Sequence, residues 1–214
     1  QVVDDEMGED YARLAGLTAE EDLTEPLRQS MQKRLPWLFV LLGLGLLVST
    51  VVGAFEQVVS QLTLIMCFQS LVLDMAGNVG TQSLAGTIRV LMDENLTFRQ
   101  KFGLVVKEVR IGSANGLLLG LASFVLIGLY IWLFRGRDLM TAFAVSGCIG
   151  LALLVAMAIS SAVGTLIPLF FKKINIDPAV ASGPLITTVN DLVAVVTYYG
   201  LSWLLLLQIM HLAG

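Results

Sequence analysis

Charge is scarce in this chain. Only 14% of its 214 residues are charged, against about 25% in an ordinary soluble domain. That leaves too little polar surface to cover a soluble globule of this size. The same apolar excess excludes a disordered chain. No basic stretch is long enough to track a phosphate backbone, and the net charge is −4, which excludes a nucleic-acid binder. Cysteine is limited to Cys67 and Cys148, both in apolar runs, and histidine to His211 near the C-terminus. There is no Cys-x-x-Cys or Cys/His cluster, which argues against a zinc or iron–sulfur site and against a disulfide framework. Gln1 opens the sequence without a basic n-region. The expectation is no signal peptide and a piece of a longer protein. Internal repeats and low-complexity tracts are also missing.

What fills the chain instead is apolar. The apolar fraction is 56% and the mean hydropathy +0.81, so an integral membrane protein is the expected class. Residues 1–30 hold nine acids against Arg13 and Arg28, a net of −7. Residues 31–214 hold eight acids against eleven bases, a net of +3. The first thirty residues therefore read as a water-exposed acidic connector, with a short amphipathic helix around Asp10–Leu17. Residues 31–214 read as an all-α domain of five transmembrane helices. Five runs are long enough to cross about 30 Å of hydrocarbon. They extend from Leu35 to about Phe55, Val58 to Met92, Leu104 to Phe134, Leu139 to Phe171 and Ala179 to Leu212. Pro36 is expected in the first turn of the first span.

Five crossings put the termini on opposite sides. The N-terminal side collects Arg13, Arg28, Lys33, Arg34, Arg89, Arg99, Lys101, Lys107, Arg110, Lys172 and Lys173, and the other side only Arg135 and Arg137. Eleven against two predicts a cytoplasmic N-terminus and an extracytoplasmic C-terminus. Trp37, Tyr130, Trp132 and Trp203 lie towards span ends, where aromatic belts form.

Against this background, polar residues inside the spans stand out. A charge near a bilayer centre costs at least ~3 kcal/mol on insertion scales. Asp191 lies within the fifth span with no Lys or Arg within a helical turn. Thr187 and Thr188 precede it by four and three residues and share its face. The run Asp177-Pro178-Ala179-Val180-Ala181-Ser182-Gly183-Pro184 reads as a broken entrance to that helix, with a carbonyl exposed near residue 180 by Pro184. Pairing of Asp191 with a base on another span is the bland alternative. In the second span, Asp74, Asn78, Thr81, Gln82, Ala85 and Arg89 follow one continuous helix face of polar or small residues. Gly77 and Gly80 interrupt it, as a kink or as a close-packing site. Oxygen donors of this kind suit Mg²⁺ or Ca²⁺ rather than softer metals. Two small-residue rows, Gly112/Gly116/Gly120 and Ala152/Ala156/Ser160/Gly164, read as packing seams. Glu108 with Arg110 reads as a salt bridge, a gate or a solvated pair. Glu56 reads as a cation attractor at the outer mouth or as an interfacial group, and His211 as solvated. One Asp191 makes a poor pore, whereas a twofold dimer would bring two around one axis. Such a ring, wide enough for a hydrated ion, suits the reluctance of Mg²⁺ to shed water.

At these residues the chain resembles the MgtE family of magnesium channels. The match rests on Met75-Ala76-Gly77-Asn78-Val79-Gly80-Thr81-Gln82-Ser83, on Ile88-Arg89 and on Lys107-Glu108. It continues through Asp177-Pro178-Ala179, Ala181-Ser182-Gly183-Pro184, Thr187-Thr188 and Asp191. The resemblance implies a homodimer in the lipid bilayer, with the ion path along the twofold axis. It implies that Asp191 is the carboxylate that holds hydrated Mg²⁺. Asn78, Thr187 and the backbone near Gly77 then lie along the pore, with Thr81, Gly183 and Thr188 lining it. It also implies upstream cytosolic N and CBS sensor domains, of which residues 1–30 would be the end of the connector. Asp74 stands at a position held by Gly or Asp in the family. If it faces the same path, the pore holds four carboxylates per dimer.

Other functions remain open on the residues alone. Intramembrane carboxylates also serve Na⁺- or H⁺-coupled transporters, although no inverted repeat is evident. An intramembrane aspartyl protease would use Asp74 and Asp191 as a proton-sharing pair. Neither Leu73-Asp74-Met75 nor Asn190-Asp191-Leu192 resembles the sequence contexts of such proteases, so no enzymatic activity is expected. A membrane scaffold without transport would leave the two polar stripes unexplained.

Overall fold

A computed structural model describes residues 26–93, 96–176 and 183–211. The described residues form helices only. They are α1 (Leu27–Ala54), α2 (Glu56–Gln61), α3 (Thr63–Asp93), α4 (Phe98–Phe134), α5 (Leu139–Lys173) and α6 (Gly183–Ser202). A π-helical turn, Trp203–Ile209, continues α6. Five of these helices are long and apolar enough to cross a membrane, namely α1, α3, α4, α5 and α6 with its continuation. The five expected spans are therefore present, with shifted ends.

Two boundaries differ from the sequence reading for identifiable reasons. The second span starts at Thr63, not Val58. Val58 belongs to the short helix α2, and the chain breaks at Leu62, with φ −126° and ψ 65°. Pro36 is not in a first turn, because α1 begins at Leu27, just after Pro26, and carries Pro36 in its interior. The described part of α6 opens at Gly183, with Pro184 next. The carbonyl near residue 180, the remaining run from Asp177 to Ser182 and the segment Asp10–Leu17 lie outside the described residues.

Local chemistry sets the sharper starts. At α4, Thr97 and Gln100 form a reciprocal capping box. At α5, the Asp138 carboxylate accepts from the Thr141 N–H at 2.9 Å. That bond holds the Asp138 carboxyl below the usual carboxylate range. Between α4 and α5, Gly136 takes φ +64°, a left-handed conformation that costs other L-residues roughly 1–2 kcal/mol.

Packing centres on α5. It carries buried residues along its whole length, from Ala142 to Pro168, whereas α1 buries none. The seam between α4 and α5 is built on glycine. Gly116 sits against the Leu154 backbone and Gly120 against Gly150, and a Cβ at Gly120 would lie 2.6 Å from the Gly150 carbonyl oxygen. The Gly112/Gly116/Gly120 row is thus a packing seam. The row from Ala152 to Gly164 is buried too, and Gly164 meets α3 rather than α4, a Cβ there falling 2.2 Å from the Gly80 carbonyl oxygen. Two seams at different angles make α5 the central helix.

Tyrosines fix the register of α6. The Tyr198 hydroxyl donates to the Ile65 carbonyl at 2.8 Å, and the Tyr199 hydroxyl donates to the Gln69 side chain. Phe55 stacks on Tyr199 with centroids 5.7 Å apart. Further along, Gly77 meets Thr187. Rising numbers on α3 meet falling numbers on α6, so the two helices run antiparallel. At the far end of α4 and α5, Cys148 and Ser202 lie 3.6 Å apart.

Candidate functional site

The antiparallel pair α3–α6 brings both intramembrane aspartates together. Asp74 follows Thr63 by eleven residues, about 16 Å along the helix axis. Asp191 follows Gly183 by eight, about 12 Å. The register set by the tyrosines places them at one level, and the two carboxylates lie within Coulombic reach of each other. Among the described residues neither carboxylate forms an ion pair with a base. The bland reading of Asp191, a partner base on another span, does not occur there.

Glycine makes this closeness possible. A Cβ at Gly77 would stand 3.4 Å from the Thr187 methyl, and one at Gly80 only 1.7 Å from the Asn190 amide nitrogen. Gly77 and Gly80 act as contact points within continuous helix, so the packing alternative holds and the kink does not. The Thr81 hydroxyl donates back to the Gly77 carbonyl at 2.9 Å.

α3 is turned inside out for a membrane helix. Its buried face is Val72, Ala76, Val79, Ser83, Leu84, Thr87 and Leu91. Its polar stripe, Asp74, Asn78, Thr81, Gln82, Ala85 and Arg89, is exposed at every position. Asn78 sits at the midpoint of the helix, roughly 22 Å from either end. Carboxamide and carboxylate groups at that depth do not face lipid. Asp191, Thr187 and Thr188 on α6 are half-buried beside this stripe. Among the described residues no group of three or more His, Cys, Asp or Glu side chains converges. One copy of the chain therefore offers two carboxylates, amides, hydroxyls and carbonyls, which is less than a full oxygen cage for a divalent ion.

Behind the stripe lies a feature that sequence reading missed. Asn190 is fully buried, and neither atom of its amide has a hydrogen-bond partner. The hydroxyls of Thr87, Ser160 and Ser161 are likewise buried without partners. The Cys148–Ser202 contact sets α5 against α6 in a register that puts Ser160 level with Asn190. Gly80 is the common neighbour, touching Asn190 on one side and Gly164 on the other. The signal was present as Gly80, one turn after Gly77 on the same side. Its partner Asn190 stood out in the sequence only as the polar residue next to Asp191. Glu108 leans towards α3 at Gly86 and is half-buried. Among the described residues it forms no ion pair with Arg110.

A family model described as "MgtE: Divalent cation transporter" matches residues 69–201, which takes in α3 from Gln69 onwards and almost all of α6. The chain is 39% identical over 204 residues to the magnesium transporter MgtE of Enterococcus faecalis, covering 94% of this chain and 42% of that protein. It is 34% identical over 201 residues to the MgtE of Bacillus subtilis, covering 94% and 43%. It is 30% identical over 173 residues to that of Thermus thermophilus, covering 81% and 36%. The chain spans about two fifths of the length of the curated relatives it matches. The relatives are named for transport, not catalysis. With the family match extending over most of the helical bundle, this chain belongs to the MgtE family of divalent cation transporters.

Proposed function

We propose that the chain is the pore-forming part of a Mg²⁺ transporter. Two copies pack about a twofold axis with their α3 stripes facing each other across a water-filled path. The observation that carries this reading is the exposed polar face of α3 at mid-membrane depth. A second copy is the simplest cover that leaves the stripe wet and adds the carboxylates one copy lacks.

In this reading Asp191 from each copy holds a hydrated Mg²⁺. Asp74 adds a second pair of carboxylates at the same level, and Asn78 and Thr187 bond the ion's water shell. Gly77, Thr81, Gly183 and Thr188 line the path. Retained waters bridge the ion to these oxygens, because Mg²⁺ dehydrates reluctantly. The excess of basic residues at the ends that α1, α3 and α5 share with Arg28 puts the N-terminal side in the cytoplasm. The relatives are more than twice as long as their match to this chain, and upstream cytosolic sensor domains are the proposed partners that gate the path.

The experiment is Mg²⁺ influx into proteoliposomes, read with an internal Mg²⁺-sensitive dye. Influx driven by the Mg²⁺ gradient alone supports a channel. Influx that requires a Na⁺ or H⁺ gradient replaces that with coupled transport. Asp74→Gly is expected to raise the half-saturating Mg²⁺ concentration about tenfold, equivalent to about 1.4 kcal/mol, while some flux persists. An unchanged half-saturation would remove Asp74 from the ion path.

A further inference from the structure

Ion transport makes no use of the far end of α4, where Phe134-Arg135-Gly136-Arg137-Asp138 leads into α5. The chain reverses over Arg135–Asp138 with Gly136 in the left-handed region, and the two flanking arginines line one cleft. The cleft has a volume of about 360 Å³ and is lined by Thr63, Leu64, Phe134, Arg135 and Arg137, a size within the usual range of roughly 300–1,000 Å³ for small-ligand sites. The Arg135 guanidinium donates to the Cys67 sulfur at 3.6 Å, a weak acceptor. Among the described residues neither arginine has a carboxylate partner. The adjacent carboxylate, Asp138, is engaged in capping α5. Two guanidinium groups in one cleft without a counter-ion call for an oxyanion, which they bind in a forked, charge-assisted geometry.

The side chains that continue from Phe134 along α4, outside the cleft itself, narrow the choice of oxyanion. Tyr130 stacks on Phe134 with centroids 5.7 Å apart, and Phe68 meets Tyr130 edge-on at 6.2 Å. Leu126, Leu129, Leu133 and Phe134 are all exposed on the last turns of α4. The cleft thus lies where a membrane-spanning helix ends, with a cationic rim above an aromatic and aliphatic surface. A ligand that fits both joins an anionic head to apolar chains. We propose that Arg135 and Arg137 hold the phosphodiester of an anionic phospholipid, whose acyl chains lie along the Tyr130–Phe134 face of α4. The Thr63 hydroxyl is placed to donate to a phosphate or glycerol oxygen. This site is independent of Mg²⁺ transport and needs only that the five helices cross a bilayer.

The test is titration of the delipidated full chain in detergent with phosphatidylglycerol, followed by native mass spectrometry. Phosphatidylcholine and millimolar inorganic phosphate serve as the comparison ligands. The wild type is expected to retain one phosphatidylglycerol per chain in preference to phosphatidylcholine. R135Q/R137Q should weaken retention about tenfold or more, the order expected for lost hydrogen bonds to a charged group. R137Q alone should weaken it measurably; among the described residues Arg137 makes no hydrogen bond or ion pair, so this variant keeps the test valid if the double variant fails to fold. Equal retention by wild type and R137Q would overturn the proposal. So would inorganic phosphate that displaces the lipid and binds in an arginine-dependent way, since the ligand would then be free phosphate.

Discussion

Asp191→Ala is expected to lower Mg²⁺ flux at least about 100-fold in a protein that still folds. The physical basis is charge at low screening. A divalent ion about 5 Å from one carboxylate, through a bridging water, gains on the order of 6 kcal/mol at an effective dielectric constant near 20. A 100-fold loss corresponds to about 2.7 kcal/mol, so the effect survives even if half of that attraction is offset by rearranged water. In the proposed path the neighbouring Asp74, within Coulombic reach of Asp191, does not compensate, because the two carboxylates would act on one ion as a set. Folding should not suffer. Asp191 makes no ion pair among the described residues, and removing a charge from the membrane interior relieves a cost. The readout is dye-reported influx together with gel filtration of the variant. Undiminished flux with normal elution would remove Asp191 from the ion path.

Gly164→Ala is expected to have the largest effect on stability. A Cβ there would come within 2.2 Å of the Gly80 carbonyl oxygen and 3.0 Å of its carbon. Those are backbone atoms of α3, so no rotamer change relieves the overlap and the helices must separate. Overpacking of a core typically costs about 1–3 kcal/mol, occasionally more. Separation here also moves Gly80 away from Asn190 and shifts α3 relative to α6, so the two aspartates lose their common level. Lower thermal stability and lower flux should appear together. Gly45→Ala is the matched control: nothing lies within 4 Å of its added Cβ, and alanine favours the helix by up to about 1 kcal/mol. Thermal unfolding followed by size-exclusion chromatography distinguishes the two, and equal midpoints would contradict the packing account.

Much of this architecture is legible in residues. The five spans follow from apolar runs, because in lipid only hydrogen-bonded helices or closed barrels are viable. Asp191 and the Asp74–Asn78–Thr81 face emerge for the same reason, since polar groups in such runs are costly. The Gly112/Gly116/Gly120 seam is readable from its spacing. Its partner was not: Gly150, Leu154 and Ser161 complete it, while the more regular Ala152–Gly164 row turns towards α3. Spacing along one helix carries no information on which neighbour fills the groove. The helix α2 and the interior position of Pro36 were missed because hydropathy does not register a six-residue helix or a helix that extends past its apolar run. The Asn190–Gly80 contact was hidden for a different reason. It joins residues 110 positions apart, and only the register set by Tyr198 and Tyr199 brings them together.

The central claim is that the polar face of α3 lines water at the middle of the membrane. The direct measurement is the rate at which a charged, membrane-impermeant thiol reagent modifies Asn78→Cys, in liposomes, after Cys67 and Cys148 are replaced by serine. Leu126→Cys, on the exposed apolar face of α4 at 67% exposure, is the comparison. The account predicts that Asn78→Cys reacts readily, that Mg²⁺ slows the reaction, and that Leu126→Cys stays unmodified. If Asn78→Cys is as inert as Leu126→Cys with and without Mg²⁺, the stripe does not face an ion path, and the account is wrong.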